Sequence, residues 1–121
     1  MIKTYGLTHI ALSVRDPERS LKFYQDVFGL KEYFRDETSI HAQTPGAHDV
    51  ITFVREETPV GQQGGIIHFG FRLTKAADIT PAIREVEKAG GKVVRHGEFA
   101  PGYPFAFVQD PDGYEVEIWF E

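Results

Sequence analysis

The sequence contains no cysteine. This absence excludes disulfide bonds, thiolate metal sites and cysteine nucleophiles. Any metal ion that the chain binds must therefore be held by histidine and carboxylate side chains, which suit Mn, Fe, Zn, Ni or Co. Five histidines and 18 acidic residues are available for such a role.

An excess of basic residues is also missing, because the formal net charge is −5. Nucleic acid is therefore not an expected partner, since neutralising phosphates requires a basic face. No apolar run approaches the ~20 residues needed to span a bilayer, and residues 1–6 lack the apolar segment of a signal peptide. We expect a cytoplasmic protein that acts on a small-molecule substrate, without membrane or nucleic-acid partners.

The sequence does contain an internal repeat. Residues 7–14 and 66–73 are similar alternating segments, each with one histidine, His9 and His68. Each segment is followed by a helical pattern of apolar residues. Asp16-Pro17 begins the first helix and Gly29 ends it. The second helix ends at Gly90-Gly91, and Pro81 must lie in its first turn, with Asp78 or Thr80 as the cap.

Short strand-like segments follow each helix. They are residues 31–35, 39–43 and 50–54 in the first half, and residues 92–95, 105–108 and 115–120 in the second. Gly97 to Gly102 is predicted to be a loop, and Asp110-Pro111-Asp112-Gly113 a turn. Each half therefore has the pattern βαβββ.

This pattern predicts an α+β protein in which paired βαβββ modules form a curved mixed sheet. The first module spans residues 1–57, the linker 58–65 and the second module 66–121. One module of about 55 residues buries too little surface to be stable alone. The modules can pair within one chain or between the chains of a dimer, and the sequence leaves both arrangements open.

Strand alternation separates an apolar face from a face that carries the histidines. His9 and His68 have small or polar neighbours on their own faces, which leaves space for a ligand. The residues predicted to be buried against the helices are Ile10, Leu12, Phe69, Phe71, Val116 and Ile118. In the last strand Glu117 shares a face with Glu115. Two histidines and one carboxylate can hold one divalent ion and leave positions open for substrate.

Strand alternation alone allows either Glu115 or Glu117 to be the carboxylate ligand. Aligning residues 49–54 with residues 114–119 places Thr52 opposite Glu117. Because a neutral hydroxyl is a poor ligand, we expect three protein ligands rather than four.

The other candidate residues carry weaker signals. Arg72 shares the face of His68 and could hold an anionic substrate group or form a salt bridge at the rim. His96 could act as an acid or base or be a solvated loop histidine. The aromatic residues Tyr103, Phe105 and Phe107 could line a pocket or belong to the core. His41 and His48 are expected to face solvent.

Three stretches resemble the vicinal oxygen chelate superfamily, which includes glyoxalase I, fosfomycin-modifying enzymes, methylmalonyl-CoA epimerase, extradiol dioxygenases and bleomycin-binding proteins. They are residues 9–17, 20–30 and 110–117. The resemblance implies a U-shaped cup around a divalent metal. It also implies ligand positions at His9, Thr52, His68 and Glu117, of which three carry ligand residues. The His, His, Glu set looks more like that of extradiol dioxygenases or fosfomycin-modifying enzymes.

The leading hypothesis is a divalent-metal-dependent enzyme, glyoxalase-like or dioxygenase-like, whose small substrate chelates the metal through its oxygens. His9, His68 and Glu117 would bind the metal, while Thr52, Arg72 and Phe105 would contact substrate. His96 and Tyr103 are the candidate catalytic residues. A homodimer is expected because sheet edges need cover. The alternative is a metal-free drug- or small-molecule-binding protein of the bleomycin-resistance type.

Overall fold

The computed structural model describes residue 1 and residues 3–57, 59–62 and 64–121. The first half contains β1 (His9–Val14), α1 (Pro17–Phe28), β2 (Lys31–Arg35), β3 (Ser39–Gln43) and β4 (Val50–Arg55). The second half contains β5 (Phe69–Arg72), a short 3-10 turn (Ala76–Asp78), α2 (Ile79–Lys88), β6 (Lys92–Ala100), β7 (Tyr103–Gln109) and β8 (Glu115–Trp119).

The two halves form sheets of the same plan. The strand orders are β1-β4-β3-β2 and β5-β8-β7-β6. The parallel pairs are β1 with β4 and β5 with β8, which are the first and last strands of each half along the chain. The remaining pairs are antiparallel. The α+β class with paired βαβββ units is confirmed. The described strands make two four-stranded sheets, with β1 and β5 each at a sheet end, rather than one continuous sheet.

Helix α1 begins and ends where its sequence predicts. The Asp16 carboxylate accepts hydrogen bonds from the backbone N–H groups of Glu18 at 3.0 Å and Arg19 at 3.3 Å, and Pro17 occupies the first helical position. At the other end Gly29 adopts φ 72°, and its N–H donates to the carbonyl of Gln25. Glycine allows this left-handed conformation without steric cost.

Helix α2 differs from α1 in its N-terminus. The helix begins at Ile79 with Asp78 at the cap position, but the Asp78 side chain makes no capping hydrogen bond. The preceding 3-10 turn leads into the helix instead. Pro81 lies in the first turn as predicted. Backbone N–H groups there have no carbonyl acceptor within the helix, so proline loses no helical hydrogen bond.

The strands alternate between more buried and more exposed positions, as predicted. Leu12, Val116 and Ile118 are buried, while Ile10, Phe69 and Phe71 are half-buried against the core. The helices contribute Leu21 and Val86, both buried, and Ile83, which is partly buried. A slip of one residue would have reversed this pattern.

The predicted loop from Gly97 to Gly102 is mostly strand, because β6 continues to Ala100. Gly97 pairs with Phe105, and the rings of Phe99 and Phe105 stack at 4.5 Å. This aromatic contact extends the hairpin, so that only the turn around Gly102 (φ 86°) remains outside the strands. The prediction was wrong because the glycine lies within the strand, facing a ring, instead of ending it.

The two halves are joined by helix α1 and by the turn at residues 110–113, here called the aspartate turn. The buried Tyr24 hydroxyl donates to the Asp110 carboxylate at 2.8 Å. Asp112 accepts hydrogen bonds from Arg19 at 2.9 Å and Ser20 at 3.2 Å. Phe28 stacks on Phe71 of the second sheet, with 3.8 Å between ring centroids. The first helix is therefore part of the core of both halves.

None of the helices in the described part of the chain is long and apolar enough to cross a membrane.

Candidate functional site

One polar row crosses the first sheet. The ring Nε2 of His9 lies 3.0 Å from the Thr52 hydroxyl oxygen. The same hydroxyl lies 3.0 Å from Nδ1 of His41 on β3. Nε2 of His41 is 3.3 Å from the Ser39 hydroxyl oxygen. Thr52 is only 5% exposed, so its hydroxyl is held between two imidazoles.

A second row crosses the second sheet at equivalent positions. Nε2 of His68 lies 3.2 Å from a carboxylate oxygen of Glu117. The imidazole also meets the Phe107 ring edge-on, with 5.1 Å between centroids. The Arg95 guanidinium lies over the same ring, 4.0 Å from the Phe107 centroid. The second row therefore carries one carboxylate and one cation.

Strand register confirms the equivalence that the repeat predicted. Thr52 pairs with Ala11, two residues after His9, and Glu117 pairs with Gly70, two residues after His68. In the adjacent antiparallel pairs, Thr52 faces His41 and Glu117 faces Phe107. His41 thus occupies in the first sheet the position that Phe107 occupies in the second.

The two glutamates of β8 have different partners. Glu115 lies 3.5 Å from the Arg95 guanidinium and its side chain is 13% exposed. Glu117 is similarly shielded at 17% but faces His68. Ligands bound side by side to one ion at ~2.1 Å lie ~3 Å apart. The separation of His68 and Glu117 fits this spacing, which favours Glu117 over Glu115 as a ligand.

His9 and His68 line one cavity of about 490 Å³ beside β1 and β5. Its wall is mostly apolar and includes Ile10, Ile66 and Phe69. Within the described residues, however, no group of three or more histidine and acidic side chains comes together in a way that could hold a metal. The donor chemistry of His68 and Glu117 fits a divalent ion. The joining of His9 to that pair remains a prediction.

Gly70 has a specific role in the second sheet. A Cβ atom at this position would lie 2.7 Å from the Glu117 carbonyl oxygen and 2.8 Å from the Trp119 ring. The space beside His68 that the small residue was expected to leave open is therefore occupied by Trp119 and Glu117. Glycine is needed here for packing.

The weaker candidates lie at different places. Arg72 donates a hydrogen bond to the backbone carbonyl of Glu121. Tyr103 is partly exposed at the start of β7, near Phe120. Phe105 is half-buried between Phe99 and Phe107. These three positions are not brought into contact with the His68–Glu117 pair.

His96 lies on the other face of the second sheet. It pairs with Ala106, which is buried in the core between the sheet and the helices. Neighbouring residues in register point to the same side of a sheet, so His96 points away from Glu117. The predicted catalytic role of His96 therefore has no geometric support.

Two residues of the rows were not found from the sequence. His41 was expected to face solvent, but it is half-buried and bonded to Thr52. Arg95 carried no signal of its own. Aligning β3 with β7 places His41 opposite Phe107, but only the strand register shows that His41 faces Thr52. By contrast, His48 is exposed as expected and stacks on Tyr5 at 4.0 Å.

The burial of the aspartate turn changes the acid–base behaviour of one group. Burial raises the pKa of the Asp110 carboxyl to about 6, although the hydrogen bonds from Tyr24 and the backbone N–H of Tyr114 oppose the shift. Burial and the neighbouring Asp110 also raise the pKa of the Tyr24 hydroxyl well above its usual range. Burial therefore keeps the Tyr24 hydroxyl protonated as a donor, whereas the Asp110 carboxyl loses its proton as the pH rises through about 6.

Comparison with known proteins places these features in context. The lactoylglutathione lyase of Haemophilus influenzae is 31% identical, covering 93% of this chain and 90% of that protein. The glutathione transferase FosA of Serratia marcescens is 25% identical, covering 93% and 79%.

A crystal structure of a glyoxalase-related enzyme from Fulvimarina pelagi is also similar. It superposes with a TM-score of 0.78 at 25% identity, over 98% of this chain and 89% of that one. A family profile described as Glyoxalase/Bleomycin resistance protein/Dioxygenase superfamily matches residues 6–118. Sequence motifs, strand plan and these matches agree: the chain belongs to the glyoxalase/bleomycin resistance protein/dioxygenase superfamily.

Proposed function

We propose that this protein is a divalent-metal-dependent enzyme of the glyoxalase-like type that acts on a small substrate. The observation that carries the proposal is the contact between His68 and Glu117 at 3.2 Å, on a shielded face beside a cavity. Without a bound cation, a carboxylate in such a position is costly unless another group pairs with it. The names of the relatives, a lactoylglutathione lyase and a glutathione transferase, support a lyase or transferase whose reaction involves glutathione.

His68 and Glu117 would hold the ion, and His9 would complete the set from the first sheet. A divalent ion held by these side chains would supply Lewis-acid stabilisation of negative charge on the oxygens of a small substrate. The apolar wall formed by Ile10, Ile66 and Phe69 would exclude water from the bound substrate. Arg95, whose side chain is 57% exposed, is a better placed cation for an anionic substrate group than Arg72.

The metal assignment is tested with matched glutamate variants. Glu117→Ala should abolish stoichiometric metal binding, measured by elemental analysis of protein purified without a histidine tag, whereas Glu115→Ala should retain it. Metal addition should raise the melting temperature of the parent and of Glu115→Ala, but not that of Glu117→Ala. Reversed behaviour of the two variants would show that the ligand is Glu115. Retention of metal by both would remove this strand from the site.

The reaction is tested with S-lactoylglutathione in one direction and with methylglyoxal plus glutathione in the other. The metal-loaded protein should turn over at least one of these, and Glu117→Ala should not. Metal binding without turnover would retain the metal site and reject the proposed substrate class.

We also propose a homodimer. Leu7 is fully exposed and Ile66 is 71% exposed, both beside the cavity at the free edges of β1 and β5. Exposed apolar residues along unpaired strand edges favour covering by another chain. Light scattering at micromolar concentration should give twice the 13.7 kDa chain mass, and a monomer mass would contradict the proposal.

Mixed dimers decide whether the modules pair within or between chains. His9→Ala and Glu117→Ala homodimers are mixed and allowed to exchange subunits. If each site takes His9 from one chain and Glu117 from the other, each mixed dimer regains one intact site and binds one metal ion. If each site lies within one chain, no mixture binds metal.

The mostly apolar cavity wall also favours a second candidate, a metal-free small-molecule-binding protein. This function predicts no stoichiometric metal after equilibration with Zn²⁺, Mn²⁺, Ni²⁺, Co²⁺ or anaerobic Fe²⁺. It also predicts that Glu117→Ala leaves ligand binding unchanged.

A further inference from the structure

A strip of aromatic rings leads away from His68 along the second sheet. Phe107, which meets the His68 ring edge-on, also meets Phe105 edge-on, with 5.6 Å between centroids. Phe105 in turn stacks on Phe99 at 4.5 Å. We call Phe107, Phe105 and Phe99 the aromatic strip. These contacts place the strip on the face of the sheet that carries His68, and its inner end touches a residue of the cavity wall.

Exposure rises along the aromatic strip from its inner to its outer end. Phe107 is 8% exposed, Phe105 is half-buried and Phe99 is 59% exposed. Because one face of the Phe99 ring stacks on Phe105, the exposed area belongs mainly to its other face and its edge. Aromatic rings pair favourably at centroid separations of about 4.5–7 Å, so a planar ring of a ligand placed on Phe99 would extend the strip. Exposed apolar surface that adjoins a cavity is typical of binding sites.

A cation lies beside the aromatic strip. The Arg95 guanidinium covers the Phe107 ring, and the Arg95 side chain is 57% exposed. Its Nη2 atom lies 3.5 Å from a carboxylate oxygen of Glu115, whose side chain is only 13% exposed. The ion pair is therefore on the inner side of the guanidinium. Since a guanidinium carries several N–H donors in one plane, those on its solvent side can bind a ligand.

The charge at Arg95 determines which anion fits. Glu115 already offsets part of the positive charge. A partly neutralised guanidinium suits a single negative charge better than a phosphate group, which carries up to about two. Its planar fork also matches the two oxygens of a carboxylate. A carboxylate is therefore the expected anionic group.

The equivalent part of the first sheet carries different chemistry. There Phe34 takes the place of Arg95 in the strand register. Ser39 is the last hydroxyl of the first row and lies 3.0 Å from a carboxylate oxygen of Asp36. An anionic ligand would thus meet a cation on the second sheet and a carboxylate on the first.

We propose that the aromatic strip and Arg95 form a subsite for a substrate that carries both an aromatic ring and a carboxylate. This role in substrate recognition rests on the proposed function, because His68 connects the strip to the proposed metal ligands. The substrate ring stacks on Phe99, and the carboxylate accepts hydrogen bonds from Arg95. The rings beneath these two groups, Phe105 and Phe107, are 5.6 Å apart, which fits a carboxylate on a short arm. The reacting part of the substrate then lies toward His68.

A titration with 3-phenylpropionate tests binding without any reaction. A chelator is present, so that the carboxylate cannot bind to a metal ion. In ¹H–¹⁵N spectra the amide signals of residues 95–107 should shift, as should the indole N–H of Trp119, the single tryptophan, which pairs with Phe105. Propionate lacks the ring and 3-phenylpropan-1-ol lacks the charge, so each should bind at least about 5-fold more weakly.

Two results of the titration would overturn the proposal. One is a set of shifts confined to residues 7–10 and 66–69, which would place the ligand at the edges of β1 and β5. The other is the absence of saturable shifts, which is also the result expected if another copy of the chain covers the aromatic strip.

Matched variants separate the contributions of ring and charge. Arg95→Gln should weaken binding of 3-phenylpropionate at least about 5-fold and leave that of 3-phenylpropan-1-ol unchanged. Phe99→Leu keeps an apolar side chain but removes the ring, so it should weaken binding of both. Phe34→Leu and Arg84→Gln are the controls, because both residues are exposed outside the strip, and they should bind like the parent. Unchanged binding of 3-phenylpropionate by Arg95→Gln or by Phe99→Leu would contradict the assignment.

Kinetics separates the subsite from the proposed reaction. In the metal-loaded protein 3-phenylpropionate should inhibit turnover competitively, and Arg95→Gln should raise its inhibition constant by the same factor as its dissociation constant. Noncompetitive inhibition, or inhibition that Arg95→Gln leaves unchanged, would show that the strip is not part of the substrate site. If the parent binds no metal and turns over none of the tested substrates, the proposed function fails, and the titration alone decides whether the strip binds aromatic carboxylates.

Discussion

The two sheets share strand order, register and the position of one histidine, but their rows carry different chemistry. In the first sheet Thr52 lies between His9 and His41, and the row ends on Asp36. In the second sheet Glu117 contacts His68, and its neighbour on β7 is Phe107, whose ring cannot extend the row by a hydrogen bond. One copy of the repeat carries a histidine–carboxylate contact, while the other carries a chain of hydrogen bonds between histidine and hydroxyl side chains. The same strand plan can therefore carry different side-chain chemistry at equivalent positions of its two copies.

The largest effect is expected from exchanging the small residues beside the two rows. Gly70→Ala should destabilise the protein by about 3 kcal/mol, because its Cβ would meet the Glu117 carbonyl and the Trp119 ring at under 3 Å. The equivalent change in the first sheet, Ala11→Gly, should cost less than about 1 kcal/mol. Urea denaturation measures both. Equal losses would show that the rows are packed alike.

A smaller effect is expected at the turns that end the two sheets. Tyr24→Phe removes the buried hydroxyl that donates a hydrogen bond to Asp110. The free energy of unfolding should fall by about 2 kcal/mol. In the turn of the first half, the Thr44 hydroxyl donates to the Asp49 carboxylate at 2.6 Å, and this contact is only part-buried. Thr44→Val should cost about 1 kcal/mol or less. A larger loss in Thr44→Val would contradict the greater importance of the aspartate turn.

The turns should also differ in their response to pH. The folded-state pKa of Asp110, about 6, lies above its ordinary value of 3.8. Its stabilising contribution is therefore present at low pH and is lost as the pH rises through 6. From this group alone, stability should be about 1 kcal/mol greater at pH 5 than at pH 7.5.

This contribution is measured by subtraction. Denaturation midpoints at pH 5 and pH 7.5 are compared among the parent, Asp110→Asn and Asp49→Asn. The difference between the two pH values should fall in Asp110→Asn and persist in Asp49→Asn. Parallel pH profiles for the parent and Asp110→Asn would show that Asp110 titrates normally.

The smallest effect concerns the outer members of the rows. Arg95 covers the Phe107 ring, whereas Phe34 meets His41 edge-on at 5.2 Å. Arg95→Gln should lose about 0.5 kcal/mol of cation–π attraction, since the guanidinium is exposed. Phe34→Leu should change stability by a similar or smaller amount. A decrease in the free energy of unfolding of more than ~1.5 kcal/mol for Arg95→Gln would indicate that the ion pair of Arg95 with Glu115 also stabilises the fold.

Alternation and capping predicted most of the fold. Asp16-Pro17 and Gly29 place the ends of α1, and the apolar positions of β1, β5 and β8 point as expected. These signals are local, so they survive in a single sequence. The extent of β6 was missed because its last residues pair through the stacking of Phe99 on Phe105, a contact that depends on the partner strand.

The candidate site was predicted only in part for a similar reason. The equivalence of His9 with His68 and of Thr52 with Glu117 follows from the repeat, and the strand register agrees with it. The contact of His41 with Thr52 depends on which residue of β3 faces β4. The side of His96 depends on two irregularities in the pairing of β6. Neither can be read from composition or spacing.

The position of helix α1 has a consequence for the order of events during synthesis. Tyr24 and Phe28 are in the first quarter of the chain, but they pack against Phe71 and Asp110, which are made much later. Contacts between such distant residues form slowly and late in folding. We therefore expect the emerging first half to expose the apolar side of this helix until the aspartate turn has left the ribosome. A nascent chain that ends before residue 110 should accordingly be more sensitive to protease and should recruit more chaperone than the full-length chain.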